Sequence, residues 1–211
     1  MLCVQTFQLQ AQNPSAIQYT VDNGLYNNKI YNISVRKDGY IYAGSDQGLF
    51  RFNGRKSEWL SLPELKGIAV TGLVVTPSKR MYGYTFSGQF VQVGDTVRII
   101  KTIHAQITNV IAASDNSVWI TGDKGVCRYS EADNNVTEIT AITKFLEKTG
   151  SLVTQNPNFT GDGAFWFTNA TGIYRFFNGQ IEIFKASQHE TLFQNNYNNL
   201  IFLNGRKVCM R

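Results

Sequence analysis

One short pattern recurs four times along this chain at a nearly constant interval. The pattern is a turn, an aromatic residue four positions after the Asp of that turn, then Gly, an apolar residue, an aromatic residue, Arg and a second aromatic residue. The aligned glycines are separated by 40, 37 and 47 residues and are Gly48, Gly88, Gly125 and Gly172. A period near 40 residues with strand-like content is typical of β-propeller blades. The spacing therefore predicts an all-β fold of the β-propeller class.

The four copies differ in how closely they keep the pattern. Three copies are good, and they run over residues 37–52, 115–129 and 162–176. The copy between the first and the second of these keeps Tyr82, Gly88 and Phe90, but it has Ser78 in place of the Asp and Val91 in place of the Arg. We expect this degenerate copy to form a blade as well, because its position keeps the period of the others.

Each copy predicts four strands joined by tight turns. In the first copy these are Lys29–Arg36, Tyr40–Gly44, Leu49–Asn53 and Lys56–Leu60. Asp38–Gly39 is a hairpin turn, since Asp and Gly tolerate the positive φ that such turns need. The predicted blades cover about residues 29–62, 68–101, 106–140 and 151–185, with a half-blade at 198–211. The prediction is thus an incomplete ring of four four-stranded blades plus a partial fifth, within a partial propeller over residues 15–211.

Two sets of residues recur once per copy. One is a large aromatic residue in the middle of the second strand, and its members are Tyr42, Tyr82, Trp119 and Trp166. We expect these rings to fill the space between adjacent blades and not to form a platform for a sugar. The other set is Arg51, Arg128 and Arg175. Because they recur, we predict a structural role for them, with hydrogen bonds to backbone carbonyls or to a carboxylate of the blade.

The segments between and around the copies carry further expectations. Ala141–Lys148 is the one helix-like stretch, and Gly150 follows as its stop signal. Residues 1–14 are interpreted as the remnant of a signal peptide and leader. Ile17–Val21 is predicted to be a strand suited to the outer position of a last blade. Asn199–Val208 opens a blade that stops halfway, so we expect the chain to be a fragment of a larger propeller protein.

Charge and cysteine content exclude several functions. The net charge is +5, but the basic residues are scattered in pairs beside turn signals, which argues against a nucleic-acid partner. Cys3, Cys127 and Cys209 match no zinc spacing. Cys127 stands where other copies have Phe or Tyr, so we expect a small buried hydrophobe. His104 and His189 have no metal-ligand spacing, and each is predicted to lie in a loop or at the surface. We predict no metal and no cofactor.

Nothing in the sequence indicates a catalytic residue. The carboxylates Asp46, Asp95, Asp123 and Glu138 are spread over turns and outer strands, so no acid and base pair is indicated. Sialidase propellers have five residues from Asp to Trp in their repeated box, whereas here the step from Asp115 to Trp119 is four. The loop aromatics are suited to a sugar or to a protein, and they are Tyr26, Trp59 and Phe86. They cannot be told apart from core residues by sequence, so the ligand-binding residues are unknown.

The three good copies, in register, resemble the two-component regulator propeller family. Residues that follow its motif in the first copy are Gly24, Leu25, Asn28, Ile30, Ile33, Asp38, Gly39, Tyr42, Gly44, Ser45, Gly48, Leu49, Arg51 and Phe52. The third copy contributes Ile107, Val110, Asp115, Trp119, Thr121, Gly125, Arg128 and Tyr129, and the fourth Asp162, Gly163, Trp166, Thr168, Gly172, Arg175 and Phe176. The resemblance covers most of residues 17–210.

The resemblance implies a function for the parent protein. It implies the periplasmic sensor region of a membrane-spanning histidine kinase, often a hybrid one, that responds to glycans. The partner is then a small molecule or an oligosaccharide, the membrane is reached through other parts of the parent, and the parent forms a homodimer. Two alternatives stay open, which are a polysaccharide lyase or glycosidase built on a propeller and a propeller scaffold that binds a protein.

Overall fold

The computed structural model describes residues 17–59, 65, 67–153, 157–184, 200–203 and 207–210, the last two segments as backbone. Its architecture confirms the predicted all-β fold, because the chain forms four four-stranded antiparallel sheets in simple meander order. These sheets are the propeller blades, and in the described residues they do not close into a ring.

The strand bounds show one repeated unit. Blade 1 consists of β1 (Ile30–Val35), β2 (Ile41–Ser45), β3 (Gly48–Phe52) and β4 (Ser57–Trp59). Blade 2 consists of β5 (Val70–Val75), β6 (Met81–Thr85), β7 (Phe90–Val93) and β8 (Val97–Ile100). Blade 3 consists of β9 (Ile107–Ala112), β10 (Val118–Gly122), β11 (Gly125–Ser130) and β12 (Asn135–Glu138). Blade 4 consists of β13 (Asn158–Phe159), β14 (Phe165–Asn169), β15 (Gly172–Phe177) and β16 (Gln180–Ile183).

Consecutive blades pack face to face. The first strands of blades 1 to 3 contact one another in order, β1 against β5 and β5 against β9. Between blades 1 and 2, Tyr42 and Leu49 pack on Val70 and Met81. The next two interfaces repeat this arrangement: Tyr82 and Phe90 pack with Ile107 and Val118, and Val126 and Trp119 pack with Phe165 and Phe167. Burial of these aromatic and branched side chains is the main source of stability for each interface.

The recurring aromatic residues occupy the predicted places. Tyr42 and Tyr82 are fully buried between blades. Trp119 is half-buried, and its ring lies 4.8 Å from that of Phe165 and 5.2 Å from that of Phe159, both in blade 4. Trp166 is half-buried as well, and its indole N–H donates to the Thr160 hydroxyl. The prediction that the aromatic residue in the second strand belongs to the core is confirmed for blades 1, 2 and 3, each of which is followed by another described blade.

The predicted helix is also confirmed. It runs over Thr140–Thr149 (α1), between blades 3 and 4. Ile142 and Leu146 are its buried face, and they join the cluster that contains Phe165 and Phe167. Gly150 ends the helix with φ of 63°, the left-handed conformation that glycine adopts at low cost.

The N-terminal expectation is wrong. Ile17–Val21 forms no strand, and the chain makes a short 3-10 helix at Val21–Asn23 instead. A strand needs a partner for its backbone groups, whereas this segment lies across the open face of blade 1. There the ring of Tyr19 packs edge-on against Phe52 with centroids 4.9 Å apart. Residues 1–14, predicted to be a leader, lie outside the described residues.

At the other end, the first half of a fifth unit is present as a hairpin. Strand β17 (Leu200–Leu203) pairs with β18 (Lys207–Met210) in antiparallel register. The predicted turn residues Asn204 and Gly205 lie outside the described residues. The expectation of a partial fifth blade therefore agrees with two paired strands.

The predicted equivalence of Val91 with the recurring arginine is wrong by one residue. The hairpin between β6 and β7 has three residues, Phe86–Gly88, where blade 1 has two. The residue opposite Tyr82 is therefore Gln92, and not Val91. Gln92 accepts a hydrogen bond from Arg98 at 2.8 Å, so blade 2 carries its arginine on the neighbouring strand.

Candidate functional site

The sheets have two ends that differ in what they display. One end carries the connectors between blades together with the β2–β3, β6–β7, β10–β11 and β14–β15 turns, and we name it the connector face. The other end carries the first and third turn of each blade, and we name it the hairpin face. Binding residues are found disproportionately on loops held by a rigid scaffold, and both ends consist of such loops.

The connector face contains a cavity of about 610 Å³ over the outer part of blade 3. Asp123 and Lys124 of the β10–β11 turn form one wall, and Glu147 of α1 with residues 150–152 forms another. Ile103, from the connector before β9, and Glu138, at the end of β12, also line the cavity. The volume lies within the range of small-molecule sites.

Asp123 is the most tightly held group of this cavity. Its Oδ1 accepts hydrogen bonds from the backbone amides of Ala105 and Gln106, both at 3.0 Å. Burial alone would raise the pKa of Asp123, but the two amide hydrogen bonds, together with nearby His104 and Lys124, lower it. The carboxylate is therefore ionised and fixed in position at neutral pH.

Behind Asp123 lies a buried pair, His104 and Cys127. Nδ1 of His104 is 3.6 Å from Asp123 Oδ1 and accepts from the Lys124 amide, while its Nε2 lies 3.4 Å from Cys127 Sγ. Burial lowers the pKa of His104, although the nearby carboxylate of Asp123 acts to raise it. Burial also raises the pKa of the Cys127 thiol to about 12. The order of cysteine, histidine and carboxylate is that of a nucleophilic site, but a buried and protonated thiol is not a nucleophile.

The burial of Cys127 and His104 tests the two predictions made for these residues. Cys127 is fully buried, which confirms that it acts as a small core residue. His104 lies in a connector as predicted, but its side chain is completely buried, so a surface location is wrong for it. The reason is that the β10–β11 turn closes over the imidazole. His189 lies outside the described residues.

The recurring arginines all bind carboxylates of their own blade, as predicted. Arg51 contacts Glu58 at 2.7 Å, and Arg128 contacts Asp115 at 2.7 Å. Arg175 joins Asp162 at 2.9 Å and Glu182 at 3.1 Å. The Asp of the first turn and the Arg of the third strand thus form one clamp in blades 3 and 4. This repetition supports a structural role.

In blade 2 the missing Asp is replaced from outside the blade. Glu131, on the β11–β12 turn of blade 3, accepts hydrogen bonds from Thr76 and Ser78 at 2.8 Å and from Tyr82 at 3.1 Å. Its side chain is 8% exposed, and Arg80 lies 3.7 Å away. The repeat pattern does not predict this role, because Glu131 belongs to a different repeat from the turn that it completes.

The remaining predicted residues are dispersed. Phe86 is 55% exposed on the connector face, whereas the ring of Tyr26 packs near Phe50 at 6.0 Å. Nothing is described of the Trp59 side chain. Asp123 and Glu138 meet at the cavity, while Asp95 lies on the hairpin face and Asp46 in the β2–β3 turn. Within the described ranges, no group of three or more His, Cys, Asp or Glu residues is arranged to hold a metal ion.

Comparison with known proteins gives likeness in structure without likeness in sequence. No protein-family profile matches the chain, and no curated protein matches it in sequence. Among solved structures, the extracellular domain assigned to a hybrid two component system of B. thetaiotaomicron superposes with a TM-score of 0.72 at 13% identity. The superposition covers 92% of this chain and 29% of that domain. The likeness shows that the two share the β-propeller fold.

Two further structures place this likeness in context. The extracellular domain assigned to a one component system of B. thetaiotaomicron gives a TM-score of 0.63 at 13% identity, over 95% of this chain and 27% of that domain. Catalytically inactive virginiamycin B lyase from Staphylococcus aureus, solved with quinupristin, gives 0.63 at 16% identity, over 88% of this chain and 65% of the enzyme. The chain thus spans less than a third of each extracellular domain. No helix in the described ranges has the length and apolar character needed to cross a membrane.

Proposed function

We propose that this chain is part of the periplasmic, ligand-sensing propeller of a two-component sensor histidine kinase, and that the sensor responds to a glycan or oligosaccharide. The observation that carries this proposal is the superposition of 92% of the chain on a sensor extracellular domain. The repeated Arg and Asp clamps, which follow the motif of the regulator propellers, support it independently. In the proposed parent, a homodimer that reaches the membrane through its other segments, ligand binding shifts the population of a signalling state.

The proposal assigns no catalysis to this segment. The grouping of Cys127, His104 and Asp123 in the described residues has a completely buried imidazole and a thiol whose pKa is raised to about 12, so it contributes to packing. The recurring arginines, which a lyase would need free to bind an acidic substrate, are paired with carboxylates. These contacts favour binding over bond cleavage.

An enzyme is the second candidate, because virginiamycin B lyase shares the fold over 65% of its own length. The sensor and the enzyme differ in what happens to the bound saccharide. A lyase releases an unsaturated product, whereas a sensor leaves its ligand intact.

The test combines a binding measurement with a product measurement. The purified chain is titrated by isothermal calorimetry with neutral oligosaccharides from cellulose, xylan and starch and with uronate-containing oligosaccharides. Each mixture is then examined by mass spectrometry. We expect binding of at least one oligosaccharide, recovered unchanged. A shortened or unsaturated product contradicts the sensor proposal in favour of an enzyme, and the absence of binding to every oligosaccharide contradicts the assignment to glycans.

A further inference from the structure

We propose that the cavity between α1 and the β10–β11 turn is the ligand site of this segment, and that it takes a neutral, hydroxyl-rich ligand of the saccharide type. This inference rests on the proposed sensing function and deepens it by naming the site and the chemical class. The cavity lies on the connector face, beside the one helix that interrupts the repeat in the described part of the chain. The inserted helix adds one wall of the cavity at this end.

The charges of the cavity select against anions. Three carboxylates line it, those of Asp123, Glu138 and Glu147, and they stand against the single ammonium group of Lys124. The rest of the chain carries an excess of positive charge, since the net charge is +5. The acidic balance is therefore local. A phosphate or uronate group in this cavity would meet repulsion from carboxylates that Lys124 alone does not offset.

A metal cation does not fit the cavity either. In the described residues no group of three or more His, Cys, Asp or Glu is arranged to hold a metal ion, and Lys124, which follows Asp123 in the turn, opposes an organic cation there. A neutral polyol avoids both conflicts, because each hydroxyl group donates a hydrogen bond to a carboxylate or accepts one from an ammonium group.

The hydrogen-bonding groups of the cavity are available. In the part of the chain that the structure describes, no hydrogen bond or ion pair is formed by the side chains of Lys124, Glu138 and Glu147. Asp123 uses Oδ1 for the amides of Ala105 and Gln106, which leaves Oδ2 for a ligand. Asp123 is also preorganised, so little conformational entropy is lost when a ligand binds to it.

Apolar side chains at the rim complement these polar groups. Ile103 is 44% exposed and Leu152 is 47% exposed, and both line the cavity. A sugar ring presents C–H groups on its faces and hydroxyl groups around its edge. Contact of the faces with Ile103 and Leu152 would remove apolar surface from water, while the edge binds the charged groups.

The experiment compares cavity variants with charge-matched controls on the opposite face. Glu147→Gln and Lys124→Met remove charges from the cavity, and Asp95→Asn and Lys37→Met remove the same charges from turns of the hairpin face. All four residues are exposed, so the variants are expected to fold, which circular dichroism checks. Isothermal calorimetry then measures the affinity for the neutral oligosaccharide that the wild-type chain binds most tightly among the cellulose, xylan and starch series.

We expect each cavity variant to bind this oligosaccharide about tenfold more weakly or worse, and each control to bind as the wild type does, because a hydrogen bond to a charged group is lost only in the cavity. Binding that is equal in all variants would overturn the site and leave the sensing function standing. A preference of the wild-type chain for uronate-containing oligosaccharides, lost in the cavity variants, would overturn the neutral class and keep the site. If no saccharide binds, the inference and the assignment to glycans both fail.

Discussion

Tyr82 of blade 2 donates its hydroxyl hydrogen to the carboxylate of Glu131 in blade 3, across 3.1 Å. The same carboxylate accepts from Thr76 and Ser78, so one side chain satisfies three hydroxyl groups of the neighbouring blade. Burial, and next the nearby charge of Glu131, raise the pKa of Tyr82, which therefore stays protonated as a donor. The contact joins two blades, and its Thr76 and Tyr82 donors are buried, whereas Ser78 is exposed.

Replacing Glu131 tests this link. We expect Glu131→Ala to lower the free energy of unfolding by about 2–3 kcal/mol, because three hydroxyl groups lose a charged acceptor. Tyr82→Phe removes one of the three donors and is expected to cost about 1 kcal/mol. Urea unfolding followed by tryptophan fluorescence measures both values. Equal stability of Glu131→Ala and the wild type would mean that the carboxylate makes no net contribution.

This link also shows where prediction from the sequence stops. Each blade could be predicted from its own repeat, since turn, strand and core positions recur with a fixed spacing. Ser78 looked like a defect in that pattern, because its compensating residue lies 53 positions later, in another repeat. The one-residue error at Val91 and Gln92 has a similar origin. A three-residue turn and a two-residue turn both contain Gly, and only strand pairing distinguishes them.

Trp119 tests the interface between blades 3 and 4. Its ring contacts Phe159, Phe165 and Phe176 of blade 4. Because the ring is half-buried, we expect Trp119→Ala to cost about 3 kcal/mol, at the low end for the removal of a large aromatic side chain. Trp119→Phe keeps most of the contact and is expected to cost less than about 1.5 kcal/mol. Thermal unfolding measures both, and similar losses for the two variants would argue against packing as the role of this residue.

Gly122 tests the close approach of a blade to its connector. A Cβ atom at Gly122 would collide with the carbonyl oxygen of Gln106 and come within 2.8 Å of His104 Nδ1. We expect Gly122→Ala to lower stability by about 1–3 kcal/mol, since the backbone has to shift. Gly161→Ala is the matched control, because a Cβ atom there meets no atom within 4 Å. Calorimetric melting of the two variants should show a loss for Gly122→Ala only, and an equal loss in both would contradict the collision.

The lowered pKa of Asp162 predicts how the stability of the fold depends on pH. The Thr160 hydroxyl and then the Arg175 guanidinium lower the pKa of Asp162 to about 2, from an ordinary value of 3.8. Since the pKa is depressed in the folded state, the stabilisation is present above pH 3.8 and is lost as the pH falls towards 2. Carboxyl resonances followed by NMR should show Asp162 titrating near pH 2 in the wild type. Arg175→Met should raise this pKa, whereas Arg51→Met, which alters another blade, should leave it unchanged.

The candidate site was less predictable than the fold. Asp123 and Glu138 were both noted in the sequence, but they are 15 positions apart and belong to a turn and to an outer strand. Strand pairing brings both to the same end of blade 3, and α1, which buries Ile142 and Leu146 between blades 3 and 4, completes the cavity there. The burial of His104 was missed for the same reason. The connectors do not recur from blade to blade, so the sequence pattern does not indicate which residues cover them.

Blade 1 has a free face that predicts association in solution. Ile41 stands at the position of Met81, Val118 and Phe165, and each of these three is fully buried against the preceding blade. Ile41 itself is 36% exposed, and its neighbours Ile33 and Val35 on β1 are each 64% exposed. The N-terminal segment covers Phe50 and Phe52 on the same blade but leaves these three side chains in water. Apolar patches of this kind promote association.

We therefore expect the isolated chain to be oligomeric at micromolar concentration, as measured by size-exclusion chromatography with light scattering. Ile33→Lys together with Val35→Lys should shift it towards the monomer, because two charges in the patch oppose its burial. Ile183→Lys is the control, since Ile183 is 59% exposed on the outermost strand of blade 4, away from this face. It should leave the oligomer unchanged. A wild-type chain that is monomeric with a single sharp unfolding transition would show that this face is stable in water, and the inference from its three buried equivalents would then be wrong.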